Sequence, residues 1–397
     1  MHKAKHCKRI VFGIIILVHL LFSSCSKDST GIDNRTKHLP EEQLQSILDN
    51  YQQKTDGILG MVHHIVMSGY ESWGGATGHF DLTRTQPLLW NDKFLIGSTT
   101  KSFTATLVLQ LWEEGIFELE EVIIDYVSPD IAAILENIPN GSQVTIRQAL
   151  MHRSGIWNYT WSLPLIENIY NNPGYNWSVV ELLQIVQNEG WSVFQPGESY
   201  SYSNTNYLLL GCLIEFVTGQ IYADVLRERI LNPQELDNTF LPDQIPVTYG
   251  DIAHGYEDDF HSIMGGATLD ALNLNCGSAW GGSAGGLVST TEDINSFYRA
   301  LVRGDLFQNK STFPMMKDLV NNETYAMGLF IGNHPRLGPF ISHGGIMTGF
   351  DSYAYYFLNH DIAINGCINL DGSVEYILPE TELVDLLLDV LAGIITK

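Results

Sequence analysis

Cations are scarce in this chain of 397 residues: 21 Lys and Arg stand against 45 Asp and Glu, for a formal charge of −24. So acidic a body repels phosphate backbones, which argues against nucleic-acid binding. Cysteine is scarce too. Besides Cys7 and Cys25 there are only Cys212, Cys276 and Cys367, too widely spaced for a disulfide framework or a CxxC metal pair. Cys212 lies in the apolar run Tyr207–Val217 and Cys367 in an apolar, strand-like segment, so both are expected to be buried, inert thiols. There is no HExxH pattern. His63 and His64 are neighbours on an expected strand, where successive side chains point to opposite faces. They are no chelating pair, and neither a metal nor an organic cofactor is expected. Internal repeats are absent, and nothing marks an oligomer, so a monomer is expected. What the chain does have is an ordinary apolar fraction, 45%, enough for one large domain or two intimately joined subdomains.

The N-terminus reads as an export signal. Lys3, Lys5, Lys8 and Arg9 precede the apolar run Ile10–Phe22, then Ser23, Ser24 and Cys25. A basic region, a short apolar core and small residues make a cleavable leader over residues 1–24. The apolar run is too short for a spanning helix, which needs roughly 20 residues. Phe22-Ser23-Ser24-Cys25 resembles a bacterial lipobox, with Phe22 where Leu is usual. That resemblance implies acylation of Cys25, a polar tether over 25–40, and attachment to a periplasmic or outer-membrane surface of a bacterial envelope. The folded domain is expected over 41–397.

Along that domain, Glu41–Lys54 reads as an amphipathic helix. Gly60–Met67 and Tyr70–Phe80 read as strands joined at Ser68-Gly69. Phe94–Gly97 is a short approach to a helix from about Ser98 to Glu114. Residues 119–241 are helix-rich, with one helix opening at Thr145 and another covering Asn206–Thr218 and ending at Gly219. A further helix starts after Ser289-Thr290-Thr291-Glu292. Four strands follow: Tyr325–Ile331, Phe340–His343, Ser352–Leu358 and Ile362–Leu370. Pro379 opens a closing helix with Leu383, Leu386, Leu387, Val390 and Leu391 on one stripe. The expected fold is α/β plus all-α: an antiparallel sheet from both chain ends, flanked by helices, with a helical subdomain inserted.

Three short motifs could carry chemistry. In Ser98-Thr99-Thr100-Lys101 the i and i+3 side chains share a helix face, and a desolvated lysine can take the proton of a serine nucleophile. Ser98 would also stand beside exposed N–H groups of a helix start, which favour developing negative charge. In Tyr202-Ser203-Asn204 a phenol can shuttle protons near an ammonium, and an amide can hold a substrate carbonyl. In His343-Gly344-Gly345 the glycines let backbone approach a ligand, the Ile346 N–H could donate to an oxyanion, and the imidazole would give the pocket a positive or polar edge. Each is weak alone. Ser24-Cys25-Ser26-Lys27 and Tyr170-Asn171-Asn172 match the first two patterns with no such role.

Together, and in this order, they resemble the serine β-lactamase and penicillin-binding superfamily, for which Ser-x-x-Lys is a signature. The branch is that of class C β-lactamases, D-alanyl-D-alanine carboxypeptidases and related esterases. Further likeness lies in Thr145–Gln148, His152-Arg153-Ser154-Gly155, Phe194–Gly197, Tyr202–Tyr207 and Ala284–Thr290. The resemblance implies an acyl-enzyme on Ser98, with Lys101 and Tyr202 sharing the base role and Asn204 binding the acyl amide. It implies that His343 supports Tyr202 and the leaving group, and that the Ser98 and Ile346 N–H groups form the oxyanion hole, with Gly344 and Gly345 lining the substrate site. The substrate would be an amide or ester, with a D-amino-acid peptide such as a peptidoglycan stem peptide first. An esterase, a β-lactamase or a non-turnover envelope-binding protein are the alternatives. The similar carboxypeptidases carry Arg after the strand where this chain has Phe330, and hydroxyl residues where it has Gly344 and Ile346. Arg336 is the nearest cation in sequence. His152 and Arg153 are read as structural.

Overall fold

In this computed structural model residues 37–396 are described, except 173, 243–251, 258–267, 275–279, 322 and 374–381. The leader, Cys25, most of the tether, Cys276 and Pro379 lie outside the described residues. The folded body starts at Lys37. Leu39, assigned to the tether from sequence, is buried in it.

Ten strands are described: β1 Ile58–Met67, β2 Trp73–Gly78, β3 Phe94–Leu95, β4 Tyr256–Glu257, β5 Leu269–Asp270, β6 Val288–Ser289, β7 Phe330–His334, β8 Gly338–Met347, β9 Phe350–Phe357 and β10 Ile362–Gly372. The main sheet has the order β2-β1-β10-β9-β8-β7, antiparallel throughout, with β4 pairing β10 in parallel and β5 beyond it. The two ends of the chain therefore share one sheet, as their apolar patterns imply. β3 and β6 form a separate pair.

Both faces of the sheet are covered, which explains why β10 reads as a continuous apolar run. Ile362, Ile364 and Ile368 pack with Leu44 and Leu48 of the helix Glu41–Lys54 and with Leu383, Leu387 and Leu391 of the helix Glu382–Ile395. Ala363 and Cys367 turn the other way, into the large core shared with the helices of the middle. Cys212 and Cys367 are free and buried. His63 and His64 are both buried but face apart, one against Tyr353 and the other against Trp90.

The caps read from sequence stand where expected. Thr145 and Gln148 form a reciprocal capping box on the helix Ile146–Leu150, and Gly219 ends the helix Asn204–Thr218 in a left-handed conformation. Two expectations fail. The first strand of the C-terminal set begins at Phe330, not Tyr325. Gly328 has φ +74°, a Cβ there would stand 2.5 Å from Ala105 Cβ, and its carbonyl accepts from Ser102 Oγ at 2.8 Å. That kinked crossing over the helix Thr100–Glu113 takes Tyr325–Leu329 out of the sheet. In the closing helix, Leu386 is exposed rather than part of the buried stripe.

Candidate active site

Ser98 lies in a one-turn 3-10 helix, Gly97–Thr99, that runs into the α-helix Thr100–Glu113. The α-helix thus begins two residues later than expected. The tighter first turn eclipses positions i and i+3 and stacks Lys101 on Ser98. The turn is pressed against β8, backbone to backbone. Gly97 has φ +49°, a Cβ on it would stand 2.8 Å from the Ile346 carbonyl oxygen, and one on Gly345 would stand 1.9 Å from the Ile96 carbonyl oxygen. Side chains cannot fit between the two segments, so glycine sets their separation. Ser352 adds a peg, its Oγ donating to the Ile96 carbonyl at 2.8 Å and lying 3.1 Å from Thr99 Oγ1. The His343-Gly344-Gly345 segment was expected at the end of a strand. It lies inside β8, which continues to Met347.

Lys101 is fully buried. Its Nζ is 2.9 Å from Ser98 Oγ, 2.7 Å from Asn204 Oδ1 and 2.5 Å from the Ala284 carbonyl oxygen. It also sits 4.9 Å from the centre of the Tyr202 ring and 5.6 Å from that of Tyr207. Burial pulls its pKa well below the ordinary lysine value. The amide oxygen and the carbonyl can only accept, so a neutral amine gives them its two N–H groups and turns its lone pair to the Ser98 hydroxyl. Burial pushes the Tyr202 phenol well above its ordinary pKa, with the neighbouring Ser98 hydroxyl pulling the other way. The two oxygens fall short of hydrogen-bond geometry, and Tyr202 Oη is buried without a partner. Asn204 is held at the start of its helix by its own N–H, which donates to Asn158 Oδ1 at 3.0 Å, and by Nδ2, which donates to Thr160 Oγ1 at 3.3 Å. Ser98, Lys101, Tyr202 and Asn204 are therefore brought together.

His343 departs from expectation. It is buried, and burial, with Lys101 nearby, pulls its pKa down to about 3, so the ring is neutral and gives the pocket the polar rather than the positive edge of the two expected. Its Nδ1 lies 2.6 Å from the Gly344 carbonyl oxygen and must carry the proton. Nε2 is then a bare acceptor, 3.1 Å from the Tyr325 hydroxyl. Tyr325, not Tyr202, is the hydroxyl that His343 holds; the His343 and Tyr202 ring centres are 6.4 Å apart. Sequence reasoning missed Tyr325 because it lay in an expected strand. The glycine three residues on, inside an otherwise apolar run, was the available signal of a break. His152 is structural as read: it is fully buried with φ +54°. Its Nδ1 accepts from the Ser203 N–H at 3.1 Å, and its ring stands 4.1 Å from that of Tyr202, propping the tyrosine loop.

Ser98 opens onto a cleft of about 660 Å³ lined by Tyr202, Asn204, Phe330, Ile331, Phe340, Tyr355 and the His343–Ile346 backbone among others. No Lys or Arg is among the described residues that line it. Arg336 is turned away to Asp389 on the closing helix, so it does not supply the cation that Phe330 replaces.

Residues 44–388 match the Beta-lactamase family. The chain belongs to that family. It is thereby a member of the serine β-lactamase and penicillin-binding protein superfamily, with the fold of that superfamily. Penicillin-binding protein 4* of Bacillus subtilis (strain 168) is 30% identical over 310 residues, 75% of this chain and 65% of that protein, so the chain spans a little under two thirds of its relative's length. Among solved structures, a D-stereospecific amidohydrolase from Streptomyces sp. is 28% identical with a TM-score of 0.70, covering 84% of this chain and 95% of that one. The D-amino acid amidase of Ochrobactrum anthropi SV3, complexed with L-phenylalanine amide, is 25% identical with a TM-score of 0.74, covering 89% and 98%.

Proposed function

We propose that this member of the Beta-lactamase family is an exported serine hydrolase that forms an acyl-enzyme on Ser98, from a D-amino-acyl amide or ester with an uncharged leaving group. The observation that carries this is the buried Lys101 amine, held between two pure acceptors and the Ser98 hydroxyl. Lys101 takes the Ser98 proton as Oγ attacks the substrate carbonyl carbon. The oxyanion that forms is met by the N–H groups of Ser98 and Ile346. Tyr202, whose raised pKa keeps it protonated, has a hydroxyl free to donate to the departing nitrogen or oxygen as the C–N or C–O bond breaks. Lys101 then passes the Ser98 proton to the Tyr202 oxygen, which restores both groups; water gives a proton to Lys101 as it attacks the ester carbonyl, and Ser98 leaves by taking that proton back.

The uncharged leaving group follows from the cleft. A carboxylate buried there without a cation is costly, and Phe330, Phe340 and Tyr355 favour an apolar group instead. The D configuration is supported by the similarity to a D-stereospecific amidohydrolase and a D-amino acid amidase. The test is a panel of D-phenylalanine amide, its L enantiomer and an acyl-D-Ala-D-Ala peptide. The D-amide should turn over at least about tenfold faster than either, since a mismatched pocket group costs about 1–3 kcal/mol. Faster turnover of the peptide would restore a carboxypeptidase. A stable Ser98 adduct with penicillin or a fluorophosphonate, with no turnover of any amide or ester, would make the protein a non-turnover acyl acceptor.

Lipid attachment at Cys25 belongs to the same proposal, supported by the leader and the small residues before Cys25. In the producing cell, Cys25→Ser should move the protein from the membrane fraction to the soluble one. Unchanged fractionation would remove the anchor and leave export standing.

A further inference from the structure

The pairing of β7 with β8 runs from His334 opposite Gly338 to Phe330 opposite Ser342. Residues two apart on a strand, and those directly opposite across a pair, share one face of a sheet. One face of this pairing therefore carries a checkerboard, with Phe330 beside Ser342 and Gly332 beside Phe340. The Phe340 ring lies over Gly332, where a Cβ would stand 2.2 Å from it. The Phe330 ring leans the other way, 4.7 Å from the Tyr325 ring and 5.3 Å from that of His343. Ser342 is left uncovered between the two, and Gly344, next on the same face of β8, adds no side chain. The result is a recess in the cleft of about 660 Å³ that also holds Ser98. Ser342 forms its floor and is only 8% exposed, yet its hydroxyl makes no hydrogen bond among the described residues.

We infer that this recess is a subsite for an aromatic ring bearing one uncharged polar atom, carried on the leaving group. This rests on the reading that Ser98 is acylated, and it adds what departs: an arylalkyl amine or alcohol, larger than ammonia. A ring between Phe330 and Phe340 buries apolar surface on both sides and can meet them edge-on or offset, the arrangements aromatic pairs favour. Such a ring also cuts the Ser342 hydroxyl off from water. A buried hydroxyl left without a partner is costly, so the ring is best received when it brings a hydrogen-bonding atom of its own. Gly332 makes the recess possible. Any side chain there displaces the Phe340 ring from its place, and Ser342 is the open position beside it.

The test uses three amides of D-phenylalanine on the full chain, with ethylamine, 2-phenylethylamine and 4-(2-aminoethyl)phenol as leaving groups. From the ethylamide to the phenylethylamide kcat/KM should rise at least about tenfold, the worth of burying a ring. The phenol should add about threefold more, the worth of one neutral hydrogen bond. Ser342→Ala should erase the second step and keep the first. Gly332→Leu should shrink the first. Absence of either step in the wild type overturns the subsite, whether or not the variants fold. If the wild type cleaves none of the three, Ser98→Ala separates the two readings, because it holds an uncut amide whatever the chemistry. Calorimetric affinities in the same order would keep the subsite and put the failure on the hydrolase reading. Equal affinities would overturn the subsite.

Discussion

Ser98→Ala is expected to abolish covalent labelling by a fluorophosphonate and to lower kcat/KM by on the order of 10⁶-fold, the loss seen when a serine nucleophile is removed from a hydrolase. The melting temperature should move by no more than about 3 °C. Ser98 is only partly buried, and the position of its turn is set by Gly97, Gly345 and Ser352 rather than by its own side chain. Alanine removes one hydrogen bond, that to Lys101, at about 1 kcal/mol, and a change of that size shifts a protein larger than 150 residues by only a few degrees. Adduct formation by the alanine variant at the wild-type rate would exclude Ser98 as the nucleophile. A large drop in melting temperature would mean that the serine holds the turn, and labelling would then report folding.

Lys101→Met is expected to lower kcat/KM by about 10³-fold or more, at the upper end of what a positioned general base contributes. Methionine matches the volume of the lysine stem but supplies no lone pair. Its effect on stability has two opposing parts. Asn204 Oδ1 and the Ala284 carbonyl lose their donor, at about 1–3 kcal/mol for each buried acceptor left unpaired. Against that, the wild type loses stability by burying an amine. The sign with pH follows from linkage. The folded-state pKa of Lys101 is depressed, so between that value and the ordinary lysine pKa the unfolded chain binds the proton and the folded chain does not. Stability from this group therefore rises with pH through that window and is lost as pH falls toward the folded pKa. Melting temperatures of wild type and Lys101→Met, measured from pH 6 to 9, should show the wild type gaining on the variant as pH rises. A constant difference would mean that the buried amine stays protonated, and Tyr202 would become the base. Retention of more than a tenth of the activity would exclude Lys101 directly.

The catalytic cluster was legible where chemistry depends on local spacing. Ser98 and Lys101 are one turn apart, and Asn204 follows Tyr202 by two residues at a helix start, so their types and intervals survive into space. The shared sheet was legible because both chain ends carry strand-like apolar runs with tight turns between them. What could not be read were partnerships between distant segments. Arg336 is claimed by Asp389 of the closing helix, and His343 by Tyr325, which leaves the sheet only because Gly328 must cross Ala105. Leu386 fits the apolar stripe by periodicity, yet the helix presents a narrower face to the sheet than the stripe allows.

The pairing of β1 with β10, Ile58 opposite Leu370, also bears on when the protein becomes reactive. The serine and its lysine are made in the first third of the chain, but the backbone they rest on, Gly345 and Ile346, is made near the end. A nascent or truncated chain ending before β8 holds the nucleophile without the surface that positions it. Contacts this distant in sequence also form slowly, because the intervening loop must close before they contribute. Positioning is thus timed by synthesis: the Ser98 turn has no surface to rest on until β8 has been made and has met it.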